Sequence, residues 1–455
     1  MLVPMSPADS VFLYTESREH PMHVGGLQLF RPPDGASARD LRTQFDEAIA
    51  ETPASYRFRR RPRRSLSSFG QWSWDLDDEF DIEHHVRRNA LPHPGRVLEL
   101  LALCSRLHST LLDRHRPLWE AHLIEGLADG RYATYFKVHH SMVDGITAQR
   151  ILQRSLSSDP HARGLPPPWA QSVDEPPVDV AAEGDADSDL WRMGLDGLAD
   201  LIGLPTAFAR TIGRGRRGES ASISFSAPRS IFNVPITGAR RFAAQSWPLD
   251  RLRRIGRVAN ATVNDVVLAM CAGALRAYLR DLHALPDSSL IAMVPVSLHG
   301  LRESASNAVG AVMCDLGTTL DDPADRLRLI TESMLSGKRS LTGMSQLQIQ
   351  AVTALGMSPL LLPMLGLPNV GRPPFNLIIS NIPGSPRPLY WNGARMEGLY
   401  PLSIPVDGQA LNITVTSYAG TMAFGLTGCR RTVPHLQRLL AHLDTELVAL
   451  EQATA

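Results

Sequence analysis

Apolar residues recur at two spacings along the chain, and these spacings predict helices and strands in both halves. Residues 36–51 place Leu41, Phe45 and Ile49 on one helical face, and residues 262–279 repeat this spacing over a longer stretch. Short apolar runs bounded by turn-forming residues predict strands at 23–30, 290–298, 307–317 and 375–384. Helices and strands are therefore mixed throughout, and the predicted fold class is α/β (α+β).

Two β-hairpins are predicted where strand-like runs flank a short turn. The paired runs are 119–127 with 131–140, and 411–418 with 421–428. The second strand of the first hairpin ends in two adjacent histidines, His139 and His140, and residues from 145 onward have helical spacing. The predicted local structure is therefore a strand, a turn that carries histidines, and a helix.

One segment divides the chain in composition. Residues 157–189 are rich in Pro, Asp, Ala and Gly and lack apolar periodicity, so we predict an extended linker. The linker separates an N-terminal domain, 1–156, from a C-terminal domain, 190–455. Two domains of ordinary size are expected for 455 residues, and the cleft between them is the expected position of a ligand site.

The charge balance narrows the classes of function. Lys+Arg and Asp+Glu are both 46, so the formal net charge is +0 and no overall field attracts nucleic acid. The 4 cysteines are far apart and form no C-x-x-C pair, which indicates neither a zinc site nor a disulfide framework. The N-terminus does not resemble a signal peptide, and no run of about 18 apolar residues occurs. We predict a cytoplasmic protein, soluble or peripherally bound to a membrane.

Residues 139–145, with the sequence HHSMVDG, combine side chains that can move a proton. A neutral imidazole, whose ordinary pKa is about 6.5, can take the proton of a hydroxyl group that attacks an acyl carbon. Adjacent strand residues point to opposite faces, so His139 and His140 are not expected to act on one substrate atom. Asp144 can accept backbone N–H groups or pair with an arginine. Gly145 permits a positive φ or the close approach of another segment.

The alternative is a histidine pair with only a structural role beside a turn. A second pair, His84 and His85, serves as an internal comparison, because no Asp-Gly follows it and Arg87 and Arg88 disfavour a charged imidazole nearby. We interpret this second pair as structural. A metal site is not predicted, since adjacent histidines do not match H-E-x-x-H, and a serine hydrolase is not predicted, since G-x-S-x-G is absent.

H-H-x-x-x-D-G is the signature of the CoA-dependent acyltransferase superfamily, which includes chloramphenicol acetyltransferases and peptide-synthesising condensation domains. Over nearly its full length the chain resembles the bacterial bifunctional wax ester synthase/diacylglycerol acyltransferase family. Seven segments carry the resemblance in the same order: SPADSVFLYTESREHPMHVGGLQLF from Ser6, RPLWEAHLIEGL from Arg116, KVHHSMVDG from Lys137, RRFAAQSW from Arg240, TVNDVVLAMCAGALRAYL from Thr262, VPVSL from Val294 and SNIPG from Ser380.

The resemblance implies two chloramphenicol-acetyltransferase-like subdomains with an active-site tunnel between them. It implies transfer of a long-chain fatty acyl group from acyl-CoA to a long-chain fatty alcohol or to diacylglycerol, with acyl-CoA as substrate and neither a further cofactor nor a metal. His140 would be the general base. The catalytic residues so predicted are His140, His139, Asp144, Gly145, Asn264 and Asp265, and the substrate-binding residues are Trp119, Ser380, Asn381, Pro383 and Gly384.

Three of these assignments have a plain structural alternative. Asn264 and Asp265 can simply cap the helix that follows them, a role that is compatible with one at the active site. Trp119 is the kind of large aromatic residue that usually belongs to a core. Non-enzymatic lipid binding, for example as a lipid-droplet protein that retains the fold, and condensation with a carrier protein are the competing functions.

The chain departs from the family pattern at one position that matters for Asp144. Family members commonly carry arginine after PVSL, whereas this chain has His299 and Gly300. Either Arg302 or backbone donors would then hold the Asp144 carboxylate.

Three further segments have two interpretations each. The arginine-rich residues 56–64 are interpreted as a solvated loop, with a patch for CoA phosphates or anionic lipid heads as the alternative. The apolar residues 351–368 either line an acyl tunnel or a lipid surface or form buried helices, and residues 190–217 invite the same membrane hypothesis. A site on the inner face of the membrane or on lipid droplets is therefore a further expectation.

Overall fold

The computed structural model of the chain describes residues 2–64 except 34 and 37, 71–171, 227–297, 309–342 and 372–455. In these residues the helices are α1 (Pro7–Thr15), α2 (Ala38–Glu51), α3 (Ile82–His85), α4 (Val97–Ser109), α5 (Gly145–Arg154), α6 (Leu249–Val258), α7 (Val263–Asp281), α8 (Pro323–Thr342) and α9 (Arg438–Ala453). The strands are β1 (Val3–Pro4), β2 (His23–Arg31), β3 (Arg60–Arg64), β4 (Trp72–Leu76), β5 (Val86–Ala90), β6 (Trp119–Glu125), β7 (Tyr132–His139), β8 (Arg240–Pro248), β9 (Ile291–Ser297), β10 (Val309–Asp315), β11 (Leu377–Ile382), β12 (Tyr390–Trp391), β13 (Ala394–Leu402), β14 (Leu411–Tyr418) and β15 (Thr421–Cys429).

Three sheets organise the described residues. The first large sheet has the order β12-β13-β2-β7-β6-β5, the second has the order β10-β9-β11-β14-β15-β8, and a small sheet has the order β1-β4-β3. Both predicted hairpins are confirmed, because β6 pairs antiparallel with β7 and β14 pairs antiparallel with β15. Ala419 and Gly420 form the turn of the second hairpin with φ of 43° and 85°. The mixed α/β fold class is confirmed.

Helix α7 is the centre of the second core. It begins where the spacing of apolar residues predicts, and its buried residues lie on almost every side, from Val266 to Leu279. A helix that is apolar all round is stable only when it is surrounded, and α7 packs against α8 and α9 on one side and α6 on another. The N-terminus of α7 is therefore held in a fixed position relative to the second sheet.

The two large sheets do not divide the chain at a single point. Strands β12 and β13 come from the C-terminal part of the chain but belong to the first sheet, where β13 pairs with β2 from Arg395↔Arg31 to Leu402↔Gly25. Helix α4 also joins the halves, since Ser105 Oγ accepts the Phe242 N–H at 2.9 Å and Ser109 Oγ accepts the Arg240 N–H at 2.8 Å. Two domains at 1–156 and 190–455 remain a prediction about folding units.

Residues 157–171, the described part of the predicted linker, pack against the first core. Trp169 is fully buried and stacks on Trp119 with ring centroids 5.8 Å apart. Ser157 exchanges two backbone hydrogen bonds with Tyr390, of 2.9 and 2.7 Å. The composition of this stretch resembles a connector, but its tryptophan has too much apolar surface to remain in water.

Candidate active site

The two histidines lie at the C-terminal end of strand β7, which pairs with β2 on one side and with β6 on the other. The His139 N–H donates to Leu118 O at 2.9 Å, and the His140 N–H donates to Met22 O at 2.8 Å. The pleat then directs the two side chains to opposite faces of the sheet. His139 is fully buried, whereas His140 begins the turn and is half-buried.

The imidazole of His140 stacks on Phe12 of α1. The ring centroids are 4.2 Å apart and the planes are 22° from parallel. The ring is hydrogen-bonded to the backbone of His140 itself, and no other described residue makes a hydrogen bond with the ring nitrogens. Burial lowers the pKa of His140 below its ordinary value of 6.5, although the carboxylates of Asp144 and Asp9 act in the opposite direction. The side chain is therefore a neutral imidazole near pH 7, with nitrogen available to accept a proton.

His139 is held in one tautomer by its neighbours. Its Nδ1 accepts the Ser141 N–H at 3.2 Å and lies 2.7 Å from Ser141 Oγ. Because Nδ1 is the acceptor, the ring proton belongs on Nε2, which is 3.4 Å from Oε1 of Glu16. His139 therefore links the turn to a carboxylate behind it and does not face the same side as His140.

Glu16 is a residue of this site that sequence reasoning missed. Its carboxylate is buried, accepts the Met22 N–H at 3.2 Å and receives Arg114 Nε at 3.0 Å. Burial alone raises the pKa of Glu16, but the hydrogen bond with His139, the Met22 N–H and the charge of Arg114 outweigh it, so the pKa lies below the ordinary value. An ionised Glu16 therefore fixes the end of α1, the start of β2 and the end of β7 together. Its only sequence signal was its place in the family segment that begins at Ser6.

Asp144 is the N-cap of α5. Its Oδ1 accepts the Thr147 N–H at 2.6 Å, and no arginine pairs with it within the described ranges. Within the described residues one backbone donor, the Thr147 N–H, holds this carboxylate, and the alternative partner, Arg302, lies outside them. Gly145 opens the helix with a φ that is not positive, and an added Cβ would only reach Ile382 Cδ1 at 3.7 Å. The expectation of a positive φ or a tight approach at Gly145 is wrong, because the turn ends one residue earlier.

Asn264 and Asp265 lie at the N-terminus of α7 and have different roles. Thr262 and Asp265 form a reciprocal cap, in which Thr262 Oγ1 accepts the Asp265 N–H at 3.2 Å and Asp265 Oδ2 accepts the Thr262 N–H at 2.9 Å. The Asn264 side chain does not cap the helix. Its Oδ1 accepts Asn381 Nδ2 at 3.3 Å, which connects α7 to the end of β11.

The segment SNIPG, at the end of β11, contacts the helix that follows the histidine turn. Gln149 of α5 donates its Nε2–H to Pro383 O at 3.2 Å and to Thr416 Oγ1 at 2.9 Å. Gly384 donates its N–H to Ser417 Oγ at 3.2 Å. Ser380 is half-buried within β11. The structure therefore brings the predicted residues of β11 close to α5.

An open pocket with a cavity volume of about 370 Å³ lies beside this contact. We call it the C-terminal pocket, and its polar lining is Arg253 of α6, Asn264 of α7, Lys338 of α8, and Asn381 and Ser417 of the second sheet. Pro383, Val263 and Pro295 contribute to its walls.

Trp119 does not lie at this pocket. It is fully buried in the first core, donates its indole N–H to Phe58 O at 2.8 Å and stacks on His85 at 4.6 Å. His85, of the second histidine pair, is itself buried, and burial lowers its pKa to about 4. The surroundings of Trp119 favour the core interpretation.

The arginine-rich residues 56–64 are not a solvated loop, so that prediction is wrong. They form a short 3₁₀ helix and strand β3, whose arginines find partners across the small sheet. Arg63 Nη1 donates to Asp75 Oδ2 at 2.8 Å, and the Arg64 guanidinium lies 4.4 Å from the Trp72 ring centroid. Other predictions lie outside the described residues, namely those on 172–189, 190–217, His299, Gly300, Arg302 and 351–368.

The described residues contain neither a candidate metal site nor a single helix that could span a membrane. No cluster of three or more His, Cys, Asp or Glu side chains there is placed to hold a metal ion. No single helix there is long and apolar enough to cross a bilayer, and one pair, α6 and α7, meets the requirement only jointly, across a bend of 101°.

Proteins of similar sequence belong to one acyltransferase family. The family model described as the wax ester synthase/diacylglycerol acyltransferase catalytic domain matches residues 5–267, and the WS/DGAT C-terminal domain matches residues 305–451. A curated protein of Mycobacterium tuberculosis named probable diacylglycerol O-acyltransferase tgs2 is 49% identical over 455 residues, which are 99% of each chain.

Solved structures extend the comparison to the fold. A wax ester synthase/diacylglycerol acyltransferase from Marinobacter aquaeolei VT8 is 42% identical with a TM-score of 0.80, over 99% of each chain. The first condensation domain of the calcium-dependent antibiotic synthetase, at 16% identity, has a TM-score of 0.60 over 100% of this chain and 97% of that one, and shows the fold alone.

The two mixed sheets, with the histidine turn between a strand and a helix, have the fold of the condensation domains, and the family model and similar relatives show that the chain is an O-acyltransferase. Within that class, the family is assigned from the large share of the chain that the family models and the relatives match. The chain belongs to the wax ester synthase/diacylglycerol acyltransferase family.

Proposed function

We propose that this protein transfers a long-chain fatty acyl group from acyl-CoA to a long-chain fatty alcohol or to diacylglycerol, with His140 as the general base. The observation that supports this most directly is the state of the His140 ring. It is half-buried, burial lowers its pKa, and its only hydrogen bond among the described residues is with its own backbone, which leaves one ring nitrogen to accept a proton. Such an imidazole can accept the proton of an alcohol as the oxygen attacks the thioester.

The reaction needs a base on the alcohol more than an acid on the leaving group. A simple thiol has a pKa of about 8.5, so the CoA thiolate leaves readily, whereas an alcohol is a weak nucleophile until its proton is removed. His140 takes this proton and returns it to the departing sulfur. No covalent intermediate is required. Ser141, which lies within the histidine turn, is buried, and its hydroxyl group is hydrogen-bonded to His139. This hydroxyl group is therefore not available as a nucleophile.

The developing oxyanion requires a hydrogen-bond donor, which is typically worth about 10²–10³ in rate. Asn264 is suited to this role, because its side-chain oxygen is used by Asn381 and its amide N–H₂ group remains for a ligand. Backbone N–H groups of the turn after His140 are the other candidates.

The test compares His140→Ala with His139→Ala. Release of free CoA thiol from palmitoyl-CoA is followed with hexadecanol, with diacylglycerol, and with both in competition. We expect no transfer by His140→Ala with an unchanged circular dichroism spectrum and melting temperature, and a smaller loss for His139→Ala. A folded and active His140→Ala protein would refute the role of the base. Lipid binding without any release of thiol by the wild type would favour the non-catalytic alternative.

We further propose that the protein works at the surface of a membrane or lipid droplet in the cytoplasm, because both acceptors are insoluble in water. Sedimentation with anionic liposomes at low salt tests this part separately. Binding that vanishes as salt is raised is expected for an electrostatic contact, and no binding at low salt would remove the idea.

A further inference from the structure

A CoA thioester presents two chemically distinct ends, and its phosphates need cations that are free to receive them. The chain has no net charge, so these cations must be gathered locally. Arginine and lysine bind phosphate oxygens through charge-assisted hydrogen bonds. The question is therefore which cations of the described residues face open space and lack a strong partner.

Two obvious groups of cations do not meet this requirement. On strand β3, Arg63 is bonded to Asp75 and Arg64 is stacked on Trp72. Lys137 is fully buried and bonded to Glu120 at 3.0 Å. These side chains already have their counter-charges or lie out of reach.

The C-terminal pocket does contain cations that face open space and lack a strong partner. Arg253 and Lys338 reach the pocket from two different helices, α6 and α8. Lys338 makes no ion pair or hydrogen bond within the part of the chain that the structure describes. Arg253 pairs only with Asp250, one turn away, and the two side chains are 55% and 82% exposed, so the pair is weak and easily exchanged for a phosphate.

The pocket is also connected to the reaction centre. Asn264 and Asn381, which are bonded to each other, form part of its lining. Pro383 lies on its wall and accepts Gln149 of α5, the helix that begins directly after the histidine turn. The flexible arm of a thioester donor that is bound in this pocket would therefore run along the end of β11 towards the start of α5.

We propose that the C-terminal pocket binds the phosphate-bearing end of the acyl-CoA donor, with Arg253 and Lys338 as the phosphate ligands. This inference rests on the proposed function for its substrate. The pantetheine arm passes Asn264 and Pro383, and the thioester reaches His140 from the side of α5. Strand β3, the site suggested by the sequence, does not take part.

The test compares a donor with phosphates and one without them. The variants are Arg253→Gln, Lys338→Gln and the double variant, and the donors are decanoyl-CoA and decanoyl-pantetheine, with hexadecanol as acceptor. We expect the KM for decanoyl-CoA to rise about tenfold in the double variant, which corresponds to about 1.4 kcal/mol, with kcat and the kinetics with decanoyl-pantetheine unchanged. Raising the ionic strength should increase the wild-type KM for decanoyl-CoA and have little effect on the double variant.

Two matched controls use other exposed arginines. Arg254→Gln changes the next residue of α6, which does not line the pocket, and Arg63→Gln with Arg64→Gln removes the charges of β3. Both should leave the KM for decanoyl-CoA within about twofold of the wild type. A rise only in the β3 variant would overturn the proposal, as would an equal rise with both donors.

Calorimetry with 3′,5′-ADP separates this inference from the proposed function. The wild type should bind this nucleotide, and the double variant should bind it about tenfold more weakly. If the wild type transfers no acyl group at all, the proposed function fails, but nucleotide binding still tests the pocket. If transfer is normal and the double variant binds the nucleotide as the wild type does, only the pocket assignment fails.

Discussion

Gly384, rather than the glycine of the histidine motif, is the glycine at which an added methyl group should strongly lower the activity. A Cβ at position 384 would lie 2.1 Å from the carbonyl oxygen of Ser417 and 3.1 Å from Thr416 Oγ1. Ordinary contact begins at 3.4 Å, so the closest separation must grow by about 1 Å. Ser417 belongs to β14, which pairs with β15 along its whole length and with β11 up to Thr416, so we expect the segment 383–384 to move instead.

The cost follows from what this segment holds. Overpacking at a tight contact typically costs about 1–3 kcal/mol of folding free energy. A displacement of Pro383 also stretches its hydrogen bond with Gln149, worth about 1 kcal/mol, which links α5 to the second sheet. A misplacement of about 1 Å near a reaction can cost about 10²-fold in rate. We therefore expect Gly384→Ala to fold, with a modestly lower melting temperature, and to lose about 10–100-fold in kcat/KM.

Gly145→Ala is the matched control. Its Cβ would meet only Ile382 Cδ1 at 3.7 Å, and alanine suits the first position of a helix. It should keep activity within about threefold of the wild type and a melting temperature at least as high. Release of CoA thiol and thermal unfolding are measured on both variants. Full activity of Gly384→Ala, or an equal loss in the two variants, would refute the steric reasoning.

The other predictions concern charge and stacking around β7. Because burial lowers the pKa of His140, kcat/KM should be constant at neutral pH and fall on the acid side with a midpoint below 6.5, since a protonated ring cannot accept a proton; a midpoint above 6.5 would contradict this. Phe12→Leu removes the ring that stacks on His140 and should lower kcat roughly three- to tenfold without unfolding, and Phe12→Tyr should retain most activity. Burial raises the pKa of Glu120, but His122, Lys137 and Arg87 outweigh it and hold the pKa at about 2. This carboxylate therefore contributes stability above pH 4.5, on the order of 3 kcal/mol, which is lost as the pH falls towards 2, so the difference in urea midpoint between the wild type and Glu120→Gln should shrink at low pH; a constant difference would count against the pair.

The sequence predicted what local periodicity encodes. The spacing of apolar residues located α7, and the two hairpins followed from turn residues between strand-like runs. The opposite orientation of His139 and His140 follows from the pleat alone. What periodicity cannot encode is the partner of an element across the chain. No local sequence pattern predicted that β13 would pair with β2, because the residues of a strand do not specify which distant strand will be its neighbour.

The errors at the site have the same physical origin. Glu16 could not be assigned from sequence, since its contact with His139 spans more than a hundred residues and depends on the pairing of β2 with β7. The arginines of residues 60–64 look solvated in sequence, because their acidic and aromatic partners lie on a different strand, β4. Charged residues are readily misjudged in this way, since a partner can turn an exposed pattern into a structured one.

The two faces of β7 support the proposal that His140, which directly follows the strand, acts as a base. On the buried face, Lys137 donates to Leu107 O, Thr110 O and Glu120, so that three acceptors match the three donors of an ammonium group. His139, two residues on, is held on the same face by Glu16. The polar partners are thus concentrated behind the strand, where they fix its end. On the other face the ring of Phe12 stacks on His140 and orients the imidazole without forming a hydrogen bond to its nitrogens. A base has to be held in place and yet keep one nitrogen free to accept a proton, and the alternation of side chains along a single strand favours both conditions.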